Sequence, residues 1–593
     1  MKKSALKVLS LIMAVPFALT AVSCASVFEK KTEIYELEYT EFPTEAYDVD
    51  KVHPIRKTGS VSGDEAVAEL NDIEWSYIRH NISGDYVAAS WCFRDLEGAG
   101  ITIEKPSLGS VGPGDIRGEC EYLTGLLERL YKIDFESLAK EDRDFYDQIV
   151  FDIEEERYIK QYEGFYYMLP AIEVASAGSF YLTVGFIEFR SRSEADLYIE
   201  LLKDTDRYYD EVMAFEEERS AKGYASIEEY YTSCSNSYYM LAQESQTGPF
   251  RESFIEQLNN IDGLTEDEIN AYIEEFDKVM EEVVVPEFLE CCRRIADLGG
   301  TNVNDKGLAG FEHGKEYYEH ILRRQIGRDC DIEAIEKGLE EVLAMEPENL
   351  ASAQIDGNNN QEMLDNMVAK AWDYFPELDI NYEIDKLPSM FKAVGVSGLY
   401  AARYFDDPSL EVIFLPDYQF TKEVVFHEGI PGHMYQFNYH KTHLKHIYLL
   451  AFGTETYVEG WATYIMNNPA RMYGTTDDDR LIYTGGIYKH YMALALADIL
   501  INYEGMTSQE ASAYLSGISD DMSGITSDDM IMTPGIAISY GLGCYMTLKT
   551  LEAIRALDPD MDIKTMHTLY LDAGPGCFDR ILNSVRREYE VER

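Results

Sequence analysis

Basic residues, histidine and tryptophan are all in short supply in this chain. Its 593 residues include 51 Lys and Arg against 108 Asp and Glu, a formal net charge of −57, with only 11 His and 4 Trp. So acidic a surface repels phosphate backbones and anionic bilayers, which argues against nucleic acid as a partner. Solubility outside a cell accounts for most of that acidity. There are nine cysteines but no CxxC pair, so neither a thiolate zinc site nor a disulfide scaffold is expected. Cys92, Cys120, Cys234, Cys291, Cys292, Cys330, Cys544 and Cys577 read as buried free thiols. GxSxG, Walker and dinucleotide-binding fingerprints are missing as well. Beyond the N-terminus no run of about 18 apolar residues occurs, so no spanning helix is expected.

What is there begins with a targeting segment. Lys2 and Lys3 precede an apolar run from Val8 to Val22, and Ala21-Val22-Ser23-Cys24 resembles a bacterial lipobox. Residues 1–23 are expected to be a signal peptide of the lipoprotein type. Residues 24–60, polar and rich in Glu and Thr, read as a tether. The expectation is an exported protein, lipid-anchored at Cys24 to the outer face of a bacterial cell membrane. Residues 61–593 read as a single helical domain, with one or two lobes.

Apolar residues at three-and-four spacing predict helices over Asp64–His80, Ile116–Leu138, Ser193–Arg219, Thr265–Leu298, Gly314–Ile326 and Asp331–Met345. Thr265 opens its helix with a cap, and Pro286 should kink or split it. Strand-like material is limited to Tyr181–Phe189 and Leu410–Leu415. The segment Leu410–Asp417 is expected to be an edge strand along which a substrate extends. Helix resumes after Pro534. The fold class is therefore mainly α, with a small β element.

Chemistry concentrates in Thr421–His440, which holds His427, Glu428 and His433, and in Glu455–Tyr464 (ETYVEGWATY). Two imidazoles, a neighbouring carboxylate and a downstream Glu are the parts that hold one zinc ion and activate water on it. The histidines are six apart. On an ideal helix that separates them by about 120° and about 9 Å, too far to share an ion. Pro431, with Gly429 and Gly432 tolerating distortion, predicts an irregular turn at Gly429–Gly432 that returns His433 to the face of His427. The bland alternative is a plain helix stop with both histidines used for packing. Glu455 and Glu459, four apart, share a helix face, and either could be the third ligand. Glu428 is placed to act as general base.

HEGIPGHMYQ followed by EGWATY resembles the bacterial domain-of-unknown-function family 885, with its HExxPGHxxQ and EGWAxY pattern. The likeness extends to Gly314–Tyr318 (GxxYY) and to Thr533–Tyr540 (PGxAxxY). That family is similar to the gluzincin metallopeptidases, whose helical folds resemble angiotensin-converting enzyme and thimet-type oligopeptidases. The resemblance implies two helical lobes around a channel, His427, His433 and Glu459 as ligands, and Glu428 as base. It sets Tyr540 where a phenol donates to an oxyanion, against its reading as an aromatic core residue. The chain departs from the pattern at Met434, where His is frequent, and at Ile536, where Gln is frequent. Of a polar helix that usually follows the zinc site, only Asp498 and Asn502 remain.

The expected function is an exported zinc metallopeptidase acting on short peptides. The alternatives are a zinc amidase, or an inactive lipoprotein that binds peptides. His440, His443 and His446 read as an exposed helix end. Lys315, Arg323 and Arg324 read as surface charge, and Glu154–Glu156 and Glu216–Glu218 as solvated runs.

Overall fold

The computed structural model describes residues 59–592 apart from 84, 104, 110–115, 167–179, 181–183, 185–186, 226, 245–247, 299–303, 346–356, 388–397, 403, 408–410, 416–421, 468–485, 519–529, 532–533 and 536. The signal peptide, Cys24, the tether up to residue 58 and Ile536 lie outside the described residues. Among the described residues, helix makes up 71% and strand 3%. The chain is mainly α, with one three-stranded sheet.

Three helices near the start pack together: α1 (Asp64–Ile82), α2 (Ile116–Leu130) and α3 (Lys140–Tyr166), with a short helix, Tyr86–Cys92, between the first two. They bury Leu70, Ile73, Leu123, Leu127, Phe145 and Ile149 against one another. α2 stops eight residues short of the expected end. There the backbone pairs instead with the incoming chain, Val61 N–H donating to Lys132 O at 2.8 Å and Asp134 N–H to Val61 O at 2.8 Å. The expected helix over Ser193–Arg219 is two, α4 (Arg192–Lys203) and α5 (Thr205–Ala221). They divide at Asp204, whose carboxylate accepts from Leu108 N–H and Ser107 Oγ. A tertiary anchor wins over local periodicity here.

Thr265 and Glu268 cap α6 (Glu266–Val279) reciprocally. A wider turn at Met280–Val284, helical in its backbone angles at both ends, then leads into α7 (Val285–Leu298), with Pro286 in its first turn. The helix therefore widens beside the proline, which lacks a donor, and is not split. Next come α8 (Gly314–Ile326) and α9 (Ile332–Ala344), as their spacing predicts.

Strands β1 (Tyr382–Lys386), β2 (Leu399–Tyr400) and β3 (Glu411–Leu415) form a sheet in the order β1–β3–β2. β3 runs parallel to β1 and antiparallel to β2. The strand expected at the edge is therefore central, paired on both sides. Its partner YEIDK is too charged to be read as a strand. Among the described residues of Tyr181–Phe189 there is no strand.

The site helices are α10 (Lys422–Glu428), α11 (His433–His443), α12 (Glu455–Asn467), α13 (Gly486–Asn502), α14 (Gly543–Arg555), α15 (Ile563–Asp572) and α16 (Phe578–Glu592). α12 and α13 are both buried along most of their length. A Cβ on Gly460 would overlap the backbone of Gly543, so α12 and α14 meet main chain to main chain.

Several charges expected on the surface are inside. Glu154, Glu155 and Glu156 are buried. Consecutive helical residues point about 100° apart, and α3 has neighbours on each side. Glu154 thus accepts from Tyr131 Oη (2.5 Å), Glu155 meets His320 Nδ1 (2.7 Å) and Glu156 accepts from Tyr77 Oη (2.7 Å). Glu216 is buried with Arg219, and Glu217 pairs with Arg294. Arg323 is also buried. The cysteines from Cys92 onward are free, five of them buried. No helix among the described residues is long and apolar enough to cross a membrane.

Candidate metal centre

α10 ends at Glu428, where the Gly429 N–H closes the last turn on Val425 O at 3.0 Å. The chain then bends through Gly429–Gly432, with a cis Ile430–Pro431 peptide, and α11 starts at His433. A Cβ at 432 would overlap the carbonyl oxygens of Phe426 and His427, so only glycine lets the chain turn back so closely on α10. Trp461 Nε1–H donates to Pro431 O at 2.9 Å, tying the bend to α12.

The bend brings the two imidazoles together. His427 Nε2 and His433 Nε2 are 3.1 Å apart. Glu459 Oε2 lies 3.3 Å from the first and 3.5 Å from the second. These distances match the edge of a tetrahedron with bonds of about 2.0–2.1 Å, which is about 3.3 Å. Glu459 Oε2 has no hydrogen-bond partner among the described residues, and two facing ring nitrogens repel unless a cation or proton lies between them. Two imidazoles and one carboxylate form the donor set of a catalytic zinc site with an open fourth position. The residues fit a divalent ion. Another acidic grouping, Asp206, Asp210 and Glu287, has two exposed members, and Asp210 is paired with Arg294 at 2.8 Å.

Burial opposes charge on Glu459, but His433 and His427 outweigh it and hold this carboxyl well below its usual range. Burial likewise lowers His433, and the Glu459 and Glu428 carboxylates outweigh it, so its pKa is raised. Glu428 is pushed up by burial, with His427, His433 and a hydrogen bond opposing. That bond comes from the Tyr400 N–H of β2, at 2.9 Å from Glu428 Oε2. The contact is between main chain and side chain from a two-residue strand, and no sequence pattern signals it.

Glu455 is not part of the triad. It is buried one turn before Glu459 and accepts from Ser539 Oγ at 3.2 Å. Burial, then Glu459, push its carboxyl up to about 8. Tyr540 stands on a wide turn, Ile538–Leu542, that leads into α14. Its ring lies nearly parallel to His427 (6.1 Å between centroids, 14°) and stacks on Tyr491 (5.3 Å, 25°). Burial, then Glu459, raise its phenol well above the usual value, so it keeps its proton.

The outer elements meet at Asp498. Tyr318 Oη donates to it at 2.7 Å, Gly535 N–H at 3.0 Å and Asn502 Nδ2 at 3.1 Å. Asp498 thus anchors the segment that carries Tyr540 to α8 and α13. Met434 is fully buried in the hydrophobic core. Lys315 lies over the ring of Tyr503 at 5.3 Å.

His440 and His446 are not an exposed helix end. His440 is buried with its Nε2 2.9 Å from Tyr457 Oη. His446 is buried between Glu74 and Asp142. Only His443 of the three is exposed. The bend after α11 turns the chain inward, which residue spacing could not express.

No curated protein matches this chain. Among solved structures it is similar to the crystal structure of a candidate lipoprotein from Colwellia psychrerythraea, with a TM-score of 0.71 and 15% identity over 89% of this chain and 99% of that one. That likeness extends to the fold alone. A candidate lipoprotein of unknown function from Shewanella oneidensis matches with a TM-score of 0.47 and 13% identity, over 87% of this chain and 98% of that one. The family model described as "Bacterial protein of unknown function (DUF885)" matches residues 97–383 and 358–581. The chain belongs to that family.

Proposed function

We propose that this chain is an exported zinc-dependent peptidase of the gluzincin kind that hydrolyses short peptides. The observation that carries the reading is the convergence of His427 Nε2, His433 Nε2 and Glu459 Oε2 within 3.5 Å of one another. Glu428 stands next to the first of them in sequence. His427, His433 and Glu459 would hold the ion. A bound zinc supplies Lewis acidity and lowers the pKa of water to about 7.

The remaining steps belong to the chain. Glu428, steadied by the Tyr400 N–H, takes a proton from the attacking water as its oxygen bonds to the peptide carbonyl carbon. Glu428 then gives that proton to the leaving amine as the C–N bond breaks. Tyr540, still protonated, has an O–H to donate to the oxyanion. Export with a lipid anchor at Cys24 accords with the lipobox-like segment and with the candidate lipoproteins of similar fold.

Metal analysis of protein purified without added zinc, and turnover of a mixed peptide library, test this reading. Glu428→Gln is expected to keep its zinc and lose about 10²–10⁴ in turnover. Equal turnover by parent and variant overturns the role of Glu428. No turnover by the parent overturns the peptidase and favours a zinc amidase or a peptide-binding lipoprotein.

A further inference from the structure

Buried acidic side chains are common in this protein, and nearly all of them are bonded. Glu74, Glu154, Glu155, Glu156, Glu216 and Asp498 each accept at least one hydrogen bond or sit in an ion pair, and none of them leaves a buried oxygen without a partner. Glu455 differs. It is 7% exposed, and its Oε1 has no hydrogen-bond partner among the described residues. Its one bond, from Ser539 Oγ at 3.2 Å, engages the other oxygen. The groups that act on it electrostatically are Glu459 and Ser539; no lysine or arginine among the described residues does so. A buried carboxyl oxygen with no hydrogen-bond donor is costly to keep unless a ligand completes it.

Its position says what that ligand is. Glu455 lies one helical turn before Glu459 on α12, about 6 Å along the axis. Ser539, which orients it, directly precedes Tyr540. The carboxyl therefore stands on the helix that carries the third ligand, bonded to the residue that precedes the candidate oxyanion donor. One residue of extended peptide spans about 3.3–3.6 Å. A group one or two residues upstream of a bond held at Glu459 falls at the level of Glu455.

We propose that Glu455 receives the free α-ammonium group of a peptide substrate, so that the cleft removes one or two residues from amino ends. This rests on the peptidase reading above and names its substrate class. Recognition of a carboxyl end would call for a lysine or arginine at this place, whereas Glu455 offers an unpartnered hydrogen-bond acceptor to which an ammonium group donates.

The test uses a mixed tetrapeptide library and the same library N-acetylated. Binding is measured by equilibrium dialysis against Glu428→Gln protein with mass-spectrometric readout, and cleavage is measured with the parent protein. Free-amine peptides are expected to be retained at least about 30-fold over acetylated ones. Glu455→Gln, added to the Glu428→Gln background, is expected to erase that preference while zinc content and far-UV circular dichroism stay unchanged. Ser539→Ala, which leaves the carboxyl in place, is expected to weaken the preference and keep it. The parent is expected to release one or two N-terminal residues.

Equal retention of free and acetylated peptides overturns the assignment, as does a preference that survives Glu455→Gln. A binding preference with no cleavage by the parent keeps the ammonium site and removes the peptidase. Cleavage of acetylated peptides as fast as free ones keeps the peptidase and removes the ammonium site.

Discussion

His433 and His446 both lie in the interior beside acidic groups, and they are used in opposite ways. His446 has each ring nitrogen bonded, Nδ1 to Glu74 at 2.8 Å and Nε2 to Asp142 at 2.9 Å. Each of the two carboxylates also has a second donor. Tyr448 N–H donates to the other Glu74 oxygen at 2.9 Å, and Lys445 joins His446 on the same Asp142 oxygen, Oδ1, at 2.6 Å, so neither carboxylate depends on His446 alone. His433 instead points its Nε2 at another imidazole and at a carboxylate oxygen that accepts no hydrogen bond. Burial of a histidine near a carboxylate therefore carries no functional meaning until donors and acceptors are counted. A closed set is structural. A set whose lone pairs converge asks for a cation.

Replacing one member of each set should produce different losses. The largest effect belongs to Glu459→Gln. An amide cannot supply the charge that two imidazoles leave wanting, so zinc per chain is expected to fall toward zero in metal analysis. The affinity loss should exceed the roughly 10–100-fold that follows loss of a merely supporting partner. The fold, followed by circular dichroism, should persist.

His446→Gln should do the reverse. It leaves Glu74 and Asp142 buried with one donor between them, at a cost of about 3 kcal/mol, read as a lower urea midpoint with an unchanged zinc content. If this variant also loses its zinc, the two histidines are not separate in role and the comparison breaks.

The same contrast explains what is legible in the sequence. Pro431 between Gly429 and Gly432 is a local instruction, and the bend it predicts is where the chain turns. Helices such as Gly314–Ile326 carry their own periodicity and begin and end where expected. Contacts made over long separations leave no such trace. Asp204 breaks a continuous-looking helix because Leu108 needs an acceptor. Glu154–Glu156 look solvated until three neighbouring helices surround them. Trp461 is visible as part of EGWATY, but its hold on the Pro431 carbonyl is not. Glu455 and Glu459 cannot be separated by spacing, and it takes the positions of His427 and His433 to divide them into one triad member and one neighbour.

A third histidine sharpens the comparison by having no carboxylate at all. His567 Nδ1 faces the Tyr374 carbonyl at 2.8 Å, so that nitrogen must carry the proton. Nε2 then accepts from the Tyr464 hydroxyl at 2.8 Å, at the far end of the EGWATY motif. The ring stacks on Phe375 (4.5 Å, 7°). Burial pushes its pKa down to about 4, against the bond to Tyr374. An unfolded histidine titrates near 6.5. Between those values the unfolded chain binds more protons than the folded one. The contribution is complete above about pH 6.5 and is lost as pH falls through the window toward 4. From pH 7.5 to pH 5 it amounts to about 2 kcal/mol. Other buried groups titrate in the same range. The measurement is therefore a difference of differences, urea unfolding of parent and His567→Gln at both pH values. The variant should lose about 2 kcal/mol less than the parent on acidification, and an identical loss in both would mean that His567 is protonated without cost in the folded state.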